Sequence, residues 1–218
     1  MGALETMERI VRLGGEPHHA PHIRVLRTRF EALTGAFTAE DAWFEERIRA
    51  FWCDAVTRGR LGTEVATELD LADENDVASL ERAHRGLFRA DGRLLVDVVS
   101  GAEFQLTRVD DETREELSAA SPQLFDGRVV AGAASPAVIE LLPGSVFHSC
   151  DVTTAIERVL LAADERGMKA DDTLDALLRM GRARHALPYA KASFAYRPEA
   201  LAAPTTATSA RRAQRMIP

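Results

Sequence analysis

Arg93-Leu-Leu-Val-Asp-Val-Val, Ala102-Glu-Phe-Gln-Leu-Thr, Arg128-Val-Val-Ala and Ala137-Val-Ile-Glu-Leu-Leu decide the fold class of this chain. Each is a short run rich in β-branched or alternating apolar residues. They are bounded by Ser100-Gly101, Asp126-Gly127, Ser135-Pro136 and Pro143-Gly144, pairs that turn a chain. In the first run Leu94, Val96 and Val98 give one wholly apolar face, and Leu95, Asp97 and Val99 give a mixed one. In the second, Phe104 and Leu106 alternate with Glu103, Gln105 and Thr107, which predicts a hairpin with one solvated face. The last two runs predict a second hairpin. Strands this short cannot hide both faces alone, so they must close into a small barrel or lay a face on helices.

Helices are expected on both sides of this module. Leu4, Met7 and Val11 step by three and four residues, and Gly14-Gly15 stops that helix. Pro21 sits where a first helical turn tolerates it, and Ile23, Leu26, Phe30, Leu33 and Phe37 continue the same spacing. Thr38 is placed to cap a third helix carrying Phe44, Ile48, Phe51, Trp52, Ala55 and Val56. Asn75 or Asp76 is placed to cap a fourth, bearing Val77, Leu80, His84 and Leu87. Beyond the strands, helices are expected from Asp151 to Arg166 and from Asp171 to Arg184, and Tyr189 to Tyr196 reads as a last strand.

The predicted architecture is therefore α+β: an N-terminal helical region over 1–90, a small antiparallel β-sheet or barrel module over 91–150, and a helical closing region over 151–200 packed on it. A tail over 201–218, low in apolar bulk, is expected to be flexible when free.

Bulk properties exclude several function classes. The 218 residues carry a formal charge of −7, which gives no long-range attraction to nucleic acid or anionic membranes. Of 27 basic residues only Lys169 and Lys191 are lysine, a bias that follows GC-rich coding better than phosphate recognition. Two cysteines, Cys53 and Cys150, are too few for a disulfide scaffold. No stretch approaches eighteen consecutive apolar residues and no leader is evident, so a cytoplasmic location is the expectation. There is no Gly-x-Gly-x-x-Gly and no Gly-x4-Gly-Lys-Ser/Thr. The last two helices have helix-turn-helix spacing, but Asp171, Asp172 and Asp175 would face phosphates.

Candidate chemistry is sparse. His18, His19 and His22 fall within five residues, and imidazole is a common zinc ligand. His148 and Cys150 offer further ligands if the two segments meet. Cys150 before a helix start, with His148 beside it, is the weaker nucleophile candidate. Ser145 and Ser149 lack the glycine bracket of an exposed nucleophile. Cys53 beside an apolar stripe reads as an inert thiol, His84 as structural, and the acidic run from Asp110 to Glu116 as a solvated face.

Long apolar seams without catalytic motifs favour a non-enzymatic interaction, assembly or regulatory protein that binds a protein partner or a second copy of itself, with no cofactor and no membrane. The expected anchors are Phe30, Leu33, Phe44, Phe51 and Trp52, with Arg211, Arg212 and Arg215 of the tail as a second contact. The first alternative is a metal-dependent enzyme using zinc or another divalent ion on His18, His19, His22, His148 and Cys150. The second is a weak nucleic-acid module built on Phe104 and Arg128.

Overall fold

The computed structural model describes residues 2–69, 74–107, 115, 117, 118, 123–132, 135–186 and 191–202. Four helices come first: α1 (Ala3–Gly14), α2 (Ala20–Thr34), α3 (Phe44–Val56) and the single turn α4 (Leu61–Glu64). A fifth, α5 (Glu74–Glu81), leads into the strands β1 (His84–Asp91), β2 (Leu94–Asp97), β3 (Glu103–Gln105), β4 (Leu124–Gly132), β5 (Ser135–Leu141) and β6 (Val146–His148). The chain closes with α6 (Thr153–Glu165), α7 (Ala170–Ala186) and the short α8 (Ala192–Ala195). It is an α+β fold whose antiparallel sheet forms a half-barrel, as the strand runs require.

The sheet order is β3-β2-β1-β4-β5, and β6 shares the outer edge of β4 with β5. Strand β4 is long enough for both: Val129 opposes Leu141 of β5, and Leu124 opposes His148 of β6. Alternation along the strands then sorts the core. Phe88, Leu95, Phe125, Val129 and Leu141 pack together on one face. Leu87 and Leu124 point the other way, into a cluster with Ile156, Val159, Leu174 and Leu177 of the closing helices. The N-terminal helices gather around Ile10, Phe30, Phe51 and Leu61, and this cluster also takes in Val130, Leu142 and Leu178.

The β module begins earlier than its sequence implies. Residues His84 to Asp91 are strand β1, not the end of a helix running to Leu87. Six pairs with β4, from His84↔Val129 to Arg89↔Leu124, outweigh the helical spacing of Leu80, His84 and Leu87. Gly86 fits that outcome, since a Cβ there would meet Asp97 Cγ at 2.7 Å. Thr38 does not cap α3, which begins at Phe44; its amide instead donates to Asp41 Oδ2 at 2.8 Å in a turn. Residues 192–195 are helical rather than extended. The acidic segment 110–114, the inter-hairpin loop residues 133 and 134 and the arginines 211, 212 and 215 lie outside the described residues.

A chain of alternating charges ties helices to the sheet. Arg128 Nη2 meets Asp54 Oδ1 at 2.7 Å, Asp54 meets Arg58 Nε at 3.0 Å, and Arg58 Nη1 meets Asp175 Oδ2 at 2.8 Å. Asp175 Oδ1 meets Arg85 Nη1 at 2.8 Å, and Arg85 grips Asp126 through both oxygens, at 3.1 and 2.6 Å. The chain starts and ends on β4 and passes through α3 and α7. Burial alone would depress Arg85 and raise Asp175, but the opposite charges beside them win, holding Arg85 above and Asp175 below their ordinary pKa values.

Among the described residues, no helix is long and apolar enough to cross a membrane.

Candidate functional site

The residues that meet in a cleft between α3, β6 and α7 are positioned by glycines. Gly144, at φ +99°, turns β5 into β6, and a Cβ there would meet the Arg49 carbonyl oxygen at 2.6 Å. Glycine thus lets β6 approach the α3 backbone, and the Phe147 amide donates to Glu46 Oε1 at 2.9 Å. Gly35, at φ +94°, ends α2, and a Cβ there would come within 2.6 Å of Arg182 Cδ. Across the cleft Gly181 faces the Tyr196 hydroxyl, which a Cβ would meet at 3.1 Å. The space left is about 170 Å³, lined by Trp43, Glu46, Arg47, Val146, Phe147, His148, Leu178, Arg182, His185 and Tyr196, among others.

Arg47 is the unusual residue of this wall. It is only 3% exposed, and its Nη2 donates to the Thr34 carbonyl at 3.0 Å, to Thr34 Oγ1 at 2.9 Å and to the Gly35 carbonyl at 3.4 Å. Those bonds satisfy the end of α2, where the helix dipole favours a cation. Phe30, Phe37 and Trp43 surround the guanidinium, with ring centroids 5.3–5.8 Å away. Yet Arg47 has no ion pair with a carboxylate among the described residues, and its Nε is buried without a partner. Burial pulls its pKa down to about 10.

His148 is a second such group. Its Nδ1 lies 2.8 Å from the Tyr196 hydroxyl, and its buried Nε2 has no partner among the described residues. Burial pushes the imidazole down to about 4, so it is neutral at pH 7, and burial likewise pushes the Tyr196 phenol above its ordinary value. Two buried polar atoms with nothing to bond therefore occur in side chains lining one cleft. Arg182 adds an exposed cation, and His185 stacks on Trp43 at 5.6 Å. A more open depression of about 330 Å³ near Thr63, Val77 and Glu81 offers less. There Glu81 is already bonded, by Thr63 Oγ1 at 2.6 Å and Arg60 Nε at 3.1 Å.

The residues singled out from the sequence are dispersed. His18 and His19 converge on Glu68, with Nε2 atoms 3.2 and 2.7 Å from the same Oε1. His22 lies beside Glu64, 3.9 Å away. His148 belongs to the cleft, and Cys150 is exposed at the start of the turn before α6; neither joins the histidine group. Among the expected anchors, Phe30 and Phe51 are 2% exposed core residues, while Leu33, Phe44 and Trp52 are half-buried. His84 is bonded to Asp97 at 3.0 Å.

Sequence reasoning missed Arg47, Gly181, Tyr196 and Glu68. An arginine three residues after Phe44 in an otherwise apolar stripe was the available signal for the first. Nothing in the sequence marks the others. Comparison with known proteins gives no match: no family model, no curated protein and no solved structure resembles the chain significantly.

Proposed function

We propose that this protein binds a small organic acid, with a carboxylate at one end and an apolar body, in the cleft between α3, β6 and α7. One observation carries it: among the described residues no carboxylate forms an ion pair with the buried Arg47, which lines the same space as the unpaired Nε2 of His148. Burial penalises the Arg47 charge, Glu46 and Asp126 offset part of that penalty from a distance, and a bound anion would offset more of it. Arg47 Nε–H and, in the tautomer with hydrogen on Nε2, His148 would become the donors once small side-chain shifts open these occluded atoms to the cleft, with Arg182 attracting the anion from the rim. Trp43, Val146, Phe147 and Leu178 supply apolar contact. At about 170 Å³ the cleft is below the roughly 300–1,000 Å³ of drug-sized sites, which selects a small molecule.

Binding rather than proton transfer fits the ionisation of the groups at the base. His148, pushed to about 4, and Tyr196, pushed upward, are both far from the range that suits a general acid or base at neutral pH. A protein partner has less to hold, since Phe30 and Phe51 are spent on the core.

Calorimetry and thermal shift with phenylacetate, benzoate, inorganic phosphate and the neutral phenylacetamide test this. Saturable binding of an aromatic acid, absent for the amide and weakened about tenfold in Arg182→Gln, is expected, a charge-assisted hydrogen bond being worth roughly 1.5–3 kcal/mol. Equal binding of acid and amide, or no saturation by either acid at millimolar concentration, sinks the proposal.

A further inference from the structure

The convergence of His18 and His19 on one carboxylate oxygen has no place in the cleft. The two residues are neighbours in the single turn Pro17–His19, which opens α2, and Glu68 ends the single turn Ala66–Glu68. Side chains adjacent on such a turn diverge by about 120°, because it has three residues per turn. Here the rings instead lie 4.1 Å apart, tilted by 45°, and both Nε2 atoms reach Glu68 Oε1. The three donor atoms lie within 4.8 Å of one another.

We propose that His18, His19 and Glu68 form a binding site for a divalent transition metal of the zinc class. Two neutral imidazoles and a carboxylate are the donor set such ions take. Distances decide whether an ion fits. Zinc bonds of 2.0–2.2 Å at tetrahedral angles set ligand atoms about 3.3 Å apart. The His18 contact, at 3.2 Å, already matches, the His19 contact, at 2.7 Å, opens by about half an ångström, and the two Nε2 atoms, within 4.8 Å of each other, settle at the same spacing through rotation of the exposed His18 ring. Each imidazole then presents its Nε2 lone pair and carries its hydrogen on Nδ1, so metal replaces the hydrogens that now bridge to the carboxylate.

The site has one firm wall and one open side. His19 is 9% exposed at its side chain, so its ring is held by packing, whereas the His18 side chain is 60% exposed. Three protein ligands leave a fourth position to water or an exogenous ligand, the pattern of catalytic and exchangeable zinc rather than of closed structural sites. Glu64 and His22 stand four residues along the chain from Glu68 and His18, and the buried Nε2 of His22 has no partner among the described residues. They can support the water or first ligands from outside the triad. The ion would clasp the start of α2 to the turn that follows α4.

Calorimetric titration of the full chain, free of tag and chelator, with Zn²⁺, and visible absorption after Co²⁺ substitution, test the site. The expected result is one ion per chain, at micromolar affinity or tighter, with cobalt bands of low-symmetry four- or five-coordination. His18→Ala and Glu68→Gln, both at exposed or half-exposed positions, should each weaken binding tenfold or more, since even supporting groups cost 10–100-fold. His185→Ala, in the cleft, should not. Circular dichroism of both variants confirms that the fold is retained. No stoichiometric zinc, or binding that His18→Ala and Glu68→Gln leave unchanged, overturns the assignment. Neither result bears on the organic-acid cleft, whose test uses other residues and no metal.

Discussion

His148 shows how one residue couples burial to solution conditions. Its imidazole titrates near 6.5 in an open chain and near 4 in the fold, burial being the main cause and the charges of His185 and Arg47 adding to it against Asp126. Between those values the unfolded chain takes up a proton that the folded one refuses, so stability is full above pH 6.5 and falls as pH drops towards 4. The loss is on the order of 3 kcal/mol across that window. Urea unfolding at pH 7 and pH 5 should give a lower midpoint at pH 5, and His148→Gln should remove most of the difference. His185, at the rim of the cleft and also held down by desolvation, contributes a smaller slope of the same sign. Asp175 acts elsewhere: its pKa is held below 3.8, so its contribution is intact above that value and is lost only as pH falls further. An unchanged midpoint between pH 7 and 5 would mean that His148 is solvated rather than enclosed.

At the scale of elements, the turns separate into those that need glycine for backbone freedom alone and those that also need the space. Gly92, at φ +58° between β1 and β2, has nothing within 4 Å of the point a Cβ would occupy, so Gly92→Ala meets only the left-handed strain of about 1–2 kcal/mol. Gly144→Ala meets that strain and the Arg49 carbonyl together, and should cost at least about 2 kcal/mol more, an order set by overpacking. Chemical denaturation of the two variants checks the ranking; equal losses would place β6 farther from α3. Elements whose pattern agreed with their surroundings were legible in the sequence. The spacing of Leu4, Met7 and Val11 found the helix α1 but only part of its face, since Met7 is buried with Ala3 and Ile10 while Leu4 and Val11 are half-buried. The pairings Leu94↔Gln105 and Val129↔Leu141 place both hairpins where they were expected, although Leu95 and Asp97 are the buried residues of β2 and Leu94 and Val96 are half-buried. Strand β1 was not legible, because Leu80, His84 and Leu87 carry a helical spacing that only pairing with β4 overrides. Strand β6, three residues long, is too short for any periodicity to show.

For the molecule as a whole, the three sequence regions share their interiors. Val130 and Leu142 of the sheet region and Leu178 of α7 belong to the cluster around Phe30 and Phe51, and the alternating charges join α3 to α7 through β4. One cooperative transition is therefore expected. Tryptophan fluorescence, which reports Trp43 and Trp52 in the N-terminal half, should follow the same urea curve as far-ultraviolet dichroism; two separated curves would show that the helical region unfolds by itself. The candidate sites were legible only in part for the same reason. His18 and His19 stood out as a cluster, but Glu68 joins them from 49 residues away, and Arg47 and His148 come to line one cleft only once β6 lies against α3. Long-range proximity of that kind leaves no periodic trace. The half-barrel has one more consequence. Just past β3, the Thr107 amide donates to the Ile139 carbonyl of β5 at 2.9 Å, and the Ile139 amide donates to Thr107 Oγ1 at 2.7 Å. A single threonine thus occupies hydrogen-bonding positions on the outer edge of β5 that an incoming strand from another molecule would need. Among the described residues Thr107 is one guard against edge-to-edge pairing at Ile139, and a side chain there that could not accept a hydrogen bond would free the Ile139 amide for a strand from another molecule.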